Sequence, residues 1–245
     1  MPKITQEKIT KYVEEHLPAF HRNRIKRLQE LNLTKILKRK NPYLFKVKNI
    51  TTANEFITTT LDAHLSSQEE SMFGGFLEEL AIFVCGEVFN GQKSTATGID
   101  LEFNRDGAKY IVSIKSGPNW GNSSQIAKLK DNFRLAKRIL GTNVASSPNV
   151  IAINGCCYGK DNNPDKGDYR KECGQQFWSL ISNNDNLYTE IIGPLGHKAK
   201  EKNDQFYEEY GKVVNKFSSE FIDLFCDSEG LIHWEKVIKF NSGKT

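Results

Sequence analysis

Residues 99–115 constrain the chain more tightly than any other stretch. Ile99-Asp100-Leu101-Glu102-Phe103 and the run from Lys109 to Lys115 both alternate in hydropathy, and Asn104-Arg105-Asp106-Gly107 stands between them. Alternation with period two marks half-buried strands, and Gly107 supplies the positive φ of a tight turn at no steric cost. The prediction is a β-hairpin with Ser113 and Lys115 on one face of the second strand, and Val112 and Ile114 on the other. Folding at Asp106-Gly107 brings Asp100, near the end of the first strand, beside Ser113 and Lys115, although fifteen positions separate Asp100 from Lys115.

The flanking segments read as helices. From Phe73 to Val88, apolar residues at helical spacing predict a largely buried helix with Glu78 and Glu79 in its middle and Asn90-Gly91 as its stop. Upstream, Thr51 or Thr52 caps a helix over 53–65, with Ser66 to Glu70 as a polar connection, and a basic helical segment covers 4 to about 40 until Asn41-Pro42 breaks it. Downstream of the hairpin, Ser123 or Ser124 caps a helix to about Leu140, and Asn149 to Ile153 forms a short apolar strand. A polar loop at 159–168, a helix around Gln175 to Ile181, a loop from Gly193 to Lys202 and an amphipathic helix from Phe206 to Phe225 complete the pass. The order helix, strand, strand, helix, strand predicts an α/β fold: a mixed central β-sheet flanked by helices, with a helical N-terminal extension. A chain of 245 residues can bury one substantial core, so the reading is a single domain over 1–245, with a helical part at 1–65, a core at 66–155 and a C-terminal helical part at 156–245.

Several function classes are excluded. No apolar run approaches the ~18–20 residues that span a bilayer, and the N-terminus lacks the apolar core of a signal peptide, so no membrane partner and a cytoplasmic location are expected. The five cysteines are odd in number, Cys156 and Cys157 are adjacent, and none has zinc-ligand spacing, so free thiols are expected. The histidines form no HExxH or HxH pair, and neither a GxSxG nor a phosphate-binding loop sequence occurs. A formal charge of +4 admits a polyanionic partner but does not establish one, because 34 basic residues stand against 30 acidic ones. The basic run before Asn41 reads either as a segment lying along phosphates or as a solvated helix face.

An acid and a lysine at one sheet edge suit phosphodiester hydrolysis, which needs a divalent cation on the phosphate, an activated water and a cation or proton donor near the developing charge. The runs GIDLEF and YIVSIKSGPNWGNSSQ, with FGGFLEELAIF upstream, resemble type II restriction endonucleases of the PD-(D/E)XK nuclease superfamily over roughly residues 66–140. The resemblance implies a homodimer that binds double-stranded DNA, one or two Mg²⁺ ions per active site, and cleavage leaving 5′-phosphate ends. It suggests a GC-rich recognition site of the GGNCC type. It makes Asp100 a metal ligand and Lys115 the residue that orients water or stabilises the transition state. Two positions depart from the pattern: Ile99 stands where proline is usual, and Ser113 where a second carboxylate is usual. A hydroxyl is a poorer Mg²⁺ ligand than a carboxylate, so the missing charge is sought first at Glu78 and then at Glu79, with Glu102, Gln125 and Asp131 as further candidates. In the loop after Lys115 and the helix start beyond it, Asn119, Asn122, Ser123, Ser124 and Gln125 are candidate DNA contacts. Trp120 either stacks on a base or anchors the loop in the core, and Lys198 is a candidate contact from the 193–202 stretch. Two other readings stay open: a structure-selective repair or recombination nuclease, and a non-catalytic DNA-binding module in which Ser113 marks a decayed site.

Overall fold

The computed structural model describes residues 3–142 and 149–244. In chain order the elements are α1 (Gln6–Gln29), α2 (Leu33–Leu37), α3 (Pro42–Val47), α4 (Ala53–Phe89), β1 (Gln92–Lys93), β2 (Leu101–Arg105), β3 (Ala108–Lys115), α5 (Ser123–Thr142), β4 (Asn149–Cys156), β5 (Arg170–Cys173), α6 (Gln175–Ser182), α7 (Leu187–Glu190), α8 (Ile192–Leu195), α9 (Ala199–Phe225) and α10 (Trp234–Ser242). They divide into two units, one made of Met1–Leu17 and Met72–His197 and the other of Pro18–Ser71 and Lys198–Thr245.

The first unit holds a five-stranded mixed sheet in the order β1-β2-β3-β4-β5. β1, β2 and β3 are antiparallel, whereas β4 and β5 run parallel to β3. The hairpin closes on the predicted turn: Arg105 pairs with Ala108, and Asp106 and Gly107 both take positive φ, at 50° and 76°. Two left-handed residues in a two-residue connection match the right-handed twist of the strands they join. On one face of the sheet Ile99, Ile111 and Ala152 pack with Leu129, Phe133 and Ala136 of α5 and with Tyr169. On the other, Phe89 of α4 stacks on Phe103 at 5.5 Å, and Phe177 of α6 lies so close to Gly155 that a Cβ there would come within 2.3 Å of its ring. A parallel sheet covered on both faces needs apolar strands, and β4 supplies one. Truncating the fully buried Phe133 to alanine should cost about 3–5 kcal/mol.

The second unit is helical. Its core gathers Leu33, Ile36 and Leu37 of α2, Phe45 of α3, and Phe56, Phe221 and Phe225 from the long helices, with the Phe56 and Phe221 rings 4.7 Å apart. Arg24 is drawn inward: its guanidinium lies 3.9 Å from the Phe206 ring centroid and bonds Glu69 at 2.7 Å. Asn241 of α10 donates to the Leu37 and Lys40 carbonyls, satisfying groups that the end of α2 leaves without helical partners.

Several predicted boundaries are corrected. The polar stretch Ser66–Glu70 does not separate two helices but lies inside the 37-residue α4. It contains no glycine or proline, and polar groups nearby bond along the helix, Gln68 to His64 at 3.0 Å and the Ser71 hydroxyl to the Ser67 carbonyl at 3.1 Å. The basic helix of 4 to 40 stops at Gln29, and α2 restarts it with Asn32 as its cap. Asn41-Pro42 begins a helix instead of ending one, since α2 has already stopped at Leu37: Asn41 accepts from the Tyr43 N–H, and Pro42 takes the first turn, where no N–H is needed. The first hairpin strand is Leu101–Arg105, so Asp100 sits just before it. The cap of α5 is Asn122 rather than Ser123 or Ser124. The expected loop at 193–202 is α8, a short turn and the start of α9, which carries Lys200 and Lys202.

Candidate active site

Asp100 is held at the mouth of the hairpin by its own backbone, whose N–H donates to the Val112 carbonyl at 2.8 Å. Three donors then converge on one oxygen of its carboxylate. Oδ2 accepts from the Ile114 N–H at 2.6 Å and from the Ser113 hydroxyl at 3.3 Å, and Lys115 Nζ approaches it to 3.7 Å. Lys115 Nζ also donates to the Ile114 carbonyl at 2.8 Å and stands 5.5 Å from the Trp120 ring centroid. The structure therefore brings Asp100, Ser113 and Lys115 together as the hairpin reading expected. Ser113 is 2% exposed and spends its hydroxyl on Asp100, so it orients that carboxylate and brings no negative charge of its own.

Glu78 joins them from α4. A Cβ built on Gly74 would lie in ordinary contact with Ser116 Cβ, at 3.4 Å, so this turn of α4 passes the end of β3, and Glu78 follows one turn later. Burial first, and the Asp100 carboxylate second, push the Glu78 carboxyl above its ordinary value, while Lys93 and Lys115 pull it down and Glu79 adds to the rise. Two acids of like charge, one half-buried and with no ion pair among the described residues, form an arrangement that a divalent cation relieves.

The other acids weighed from the sequence are already neutralised. Glu79 is 56% exposed and pairs with Lys93 at 3.1 Å. Glu102 pairs with Lys109 at 3.0 Å and accepts from Gln92, and Asp131 pairs with Arg134 at 3.5 Å. Among the described residues no three His, Cys, Asp or Glu side chains converge on one point. Asp100 and Glu78 are thus the two acids that could share a cation, its remaining positions falling to water and phosphate oxygen.

The loop after Lys115 is pinned rather than free. Cys157 and Tyr158 donate their N–H groups to the Lys115 and Ser116 carbonyls, and Lys171 Nζ donates to the Pro118 carbonyl at 2.9 Å. Trp120 donates its indole N–H to Asn154 at 3.0 Å, and Asn154, fully buried, donates back to the Ser113 carbonyl at 3.2 Å. Trp120 is therefore an anchor for the loop. Asn122 and Gln125 form a reciprocal capping box: Asn122 Oδ1 accepts from the Gln125 N–H, and Gln125 Oε1 accepts from the Asn122 N–H, each at 3.0 Å. Ser124 donates to Asn122 at 2.7 Å. Asn119 and Ser123 are exposed at the same loop. Beside it, a cleft of about 570 Å³ opens past the ends of β4 and β5, lined by Tyr158, Lys160, Asn162 and Gln176 among others. Lys198 belongs to the other unit, where it precedes α9 with a left-handed φ of 51°.

Three contributors escaped the sequence reading. Lys93 comes from the two-residue β1, too short to show a period, and its charge acts on Glu78. Lys171 reaches the loop from β5, a strand whose sequence RKEC carries no alternation. Asn154 did leave a signal, a lone amide after the apolar run Val150–Ile153, which implies a buried partner.

A family profile described as type II restriction endonuclease EcoO109I matches residues 7–203 of the chain. No curated protein matches it significantly.

Proposed function

The chain belongs to the type II restriction endonuclease EcoO109I family, and from that premise we propose that it cuts both strands of duplex DNA at a short specific sequence, in a Mg²⁺-dependent hydrolysis that leaves 5′-phosphate ends. The observation that carries the reading is the convergence at the end of β3: Asp100 held by the Ser113 hydroxyl and the Ile114 N–H, Lys115 beside it, and Glu78 raised by burial and by the Asp100 charge. On this reading the site follows the PD-(D/E)XK pattern, with the second carboxylate supplied by α4 instead of the strand.

Asp100 and Glu78 would hold one or two Mg²⁺ ions, whose charge offsets that of the scissile phosphate. Ser113 and the Ile114 N–H keep the Asp100 carboxylate in one orientation, leaving its other oxygen for a ligand. The Lys115 ammonium, tethered to the Ile114 carbonyl, orients the attacking water and stabilises charge on the phosphate as it becomes pentavalent. Around them the Trp120–Asn154–Ser113 chain pins the loop, and Asn119 and Ser123, exposed there, are the groups it offers to a phosphate. Residues 1–245 serve as one endonuclease in the cytoplasm, and two copies act on a two-fold symmetric site, each cutting one strand. The recognition sequence belongs to the GC-rich GGNCC group. No described helix is long and apolar enough to cross a membrane.

The test is digestion of a fully sequenced, unmethylated plasmid with and without Mg²⁺, followed by mapping of the product ends. Discrete Mg²⁺-dependent fragments with 5′-phosphates support the reading. A ladder from arbitrary DNA points to a structure-selective nuclease, and tight binding without cutting in Mg²⁺ or Mn²⁺ points to a binding module.

A further inference from the structure

From Leu31 to Asn54 the chain carries Lys35, Lys38, Arg39, Lys40, Lys46 and Lys48 and not one acid. α2 and α3 turn Leu33, Ile36, Leu37, Pro42 and Phe45 inward, and five of the six cations are exposed, with Lys40 half-buried. Among the described residues none of the six forms an ion pair. Several cations of α1 and α9, by contrast, have acid partners: Arg24 is sequestered by Glu69, Lys26 faces Glu30, Lys212 bridges Glu208 and Glu209, and Lys216 faces Glu220. The excess charge is felt nearby, since burial and then the Lys40 and Arg39 charges hold His64 below its ordinary value. Tyr43, Leu44 and Val47 are exposed on the same short helices, so flat apolar area lies among the cations.

We propose that the α2–α3 surface is a phosphate-backbone docking site for duplex DNA, separate from the catalytic residues. It rests on the nuclease reading only in its choice of DNA as the polyanion. A stretch of cations without counter-charges gains most from displacing condensed counterions on a duplex, and this gain is independent of sequence. The apolar residues between the cations suit sugar edges better than free water does.

The experiment measures binding of the full chain to a labelled 30-bp duplex of arbitrary sequence, without divalent metal, over a salt series from about 50 to 200 mM. The variants are K35Q/K38Q/R39Q and K46Q/K48Q, with K212Q/K216Q as a control that removes paired cations of α9. Each lost phosphate contact should flatten the log Kd against log salt line by about 0.9, so the triple variant should lose two to three from the slope and bind at least tenfold more weakly at the lowest salt. The control should keep the parental line, and thermal melts of all three should coincide with the parent. Unchanged slopes in both surface variants overturn the proposal, as does a loss of the same size in the control. If single-stranded RNA or anionic phosphatidylserine vesicles lose binding in these variants while the duplex does not, the surface serves another polyanion and the proposal fails. Failure of the parent to cut plasmid, with the slope change intact, removes the nuclease reading and leaves the docking surface standing.

Discussion

Two cation-bearing regions of this molecule are built on opposite terms. Around the end of β3, nearly every charge is answered: Lys115 by Asp100, Lys93 by Glu79, and Lys171 by Asp161. Across residues 31–54 the six cations have no acid among them in sequence and, among the described residues, no ion pair. Compensation fixes geometry, because a side chain held by a partner has one place to be, and chemistry at a phosphate depends on fixed geometry. Absence of acid partners leaves the positive charge uncancelled, which suits a surface that must accept a polyanion at many registers. Glu78 is the exception in the first region, an acid left without a cation partner among the described residues, and so the place where an added positive ion has most to neutralise.

Substitutions can break this contrast. Asp100→Ala or Lys115→Ala should lower the single-turnover cleavage rate by at least about 10²–10³-fold while duplex affinity in the absence of metal stays within a few-fold; near-parental cleavage by either variant would dissolve the proposed site. Glu78→Gln should raise the Mg²⁺ concentration needed for half-maximal rate by about 10–100-fold, and it offers a second, activity-independent reading. The Glu78 carboxyl sits above its ordinary value in the folded state, so its ionisation opposes folding: the stabilising share is complete below the unfolded-state value and is lost as pH rises through the raised one. The glutamine variant should therefore melt higher than the parent at neutral pH, with the gap closing as pH falls below the carboxylate range. Asn154→Ala removes the buried link between Trp120 and the Ser113 carbonyl and should cost about 1–3 kcal/mol in urea unfolding. Glu79→Gln should be the mildest, within about 0.5 kcal/mol and with unchanged Mg²⁺ dependence, because its pair with Lys93 is exposed. A Glu79 effect larger than that of Glu78 would reverse the assignment between these neighbours.

The contrast also bears on how much the sequence could reveal. The Asp100–Lys115 pairing was legible because everything that makes it is local: alternation on both arms and a turn whose two residues are suited to positive φ. The choice of Glu78 over Glu79 was legible only as a preference, since the helix phase does not say which flank meets β3; what separates them in the fold is that Glu79 pairs with Lys93 while Glu78 is half-buried and feels the Asp100 charge. β5 was illegible because Arg170-Lys171-Glu172-Cys173 is a strand only by virtue of its parallel pairing with β4. The unbroken α4 was missed because polarity was taken for a break, where a continuous helix could satisfy the same side chains. The basic stretch was visible as composition, but Arg24 belonged to the same run and turned out to be internal, so burial had to separate the two.

The two-residue turn at Asp106-Gly107 also sets an order of assembly. A hairpin of this reach closes in about 1–10 μs, so Asp100 and Lys115 can meet while most of the chain is still searching. Glu78 reaches them only when α4 docks, and the loop is clamped only when the parallel strands β4 and β5 arrive through connections that are slower to close. A refolding chain would thus hold Asp100 and Lys115 together early and gain Glu78 late. If the proposed site is the catalytic one, competence to cut DNA would report on completed folding.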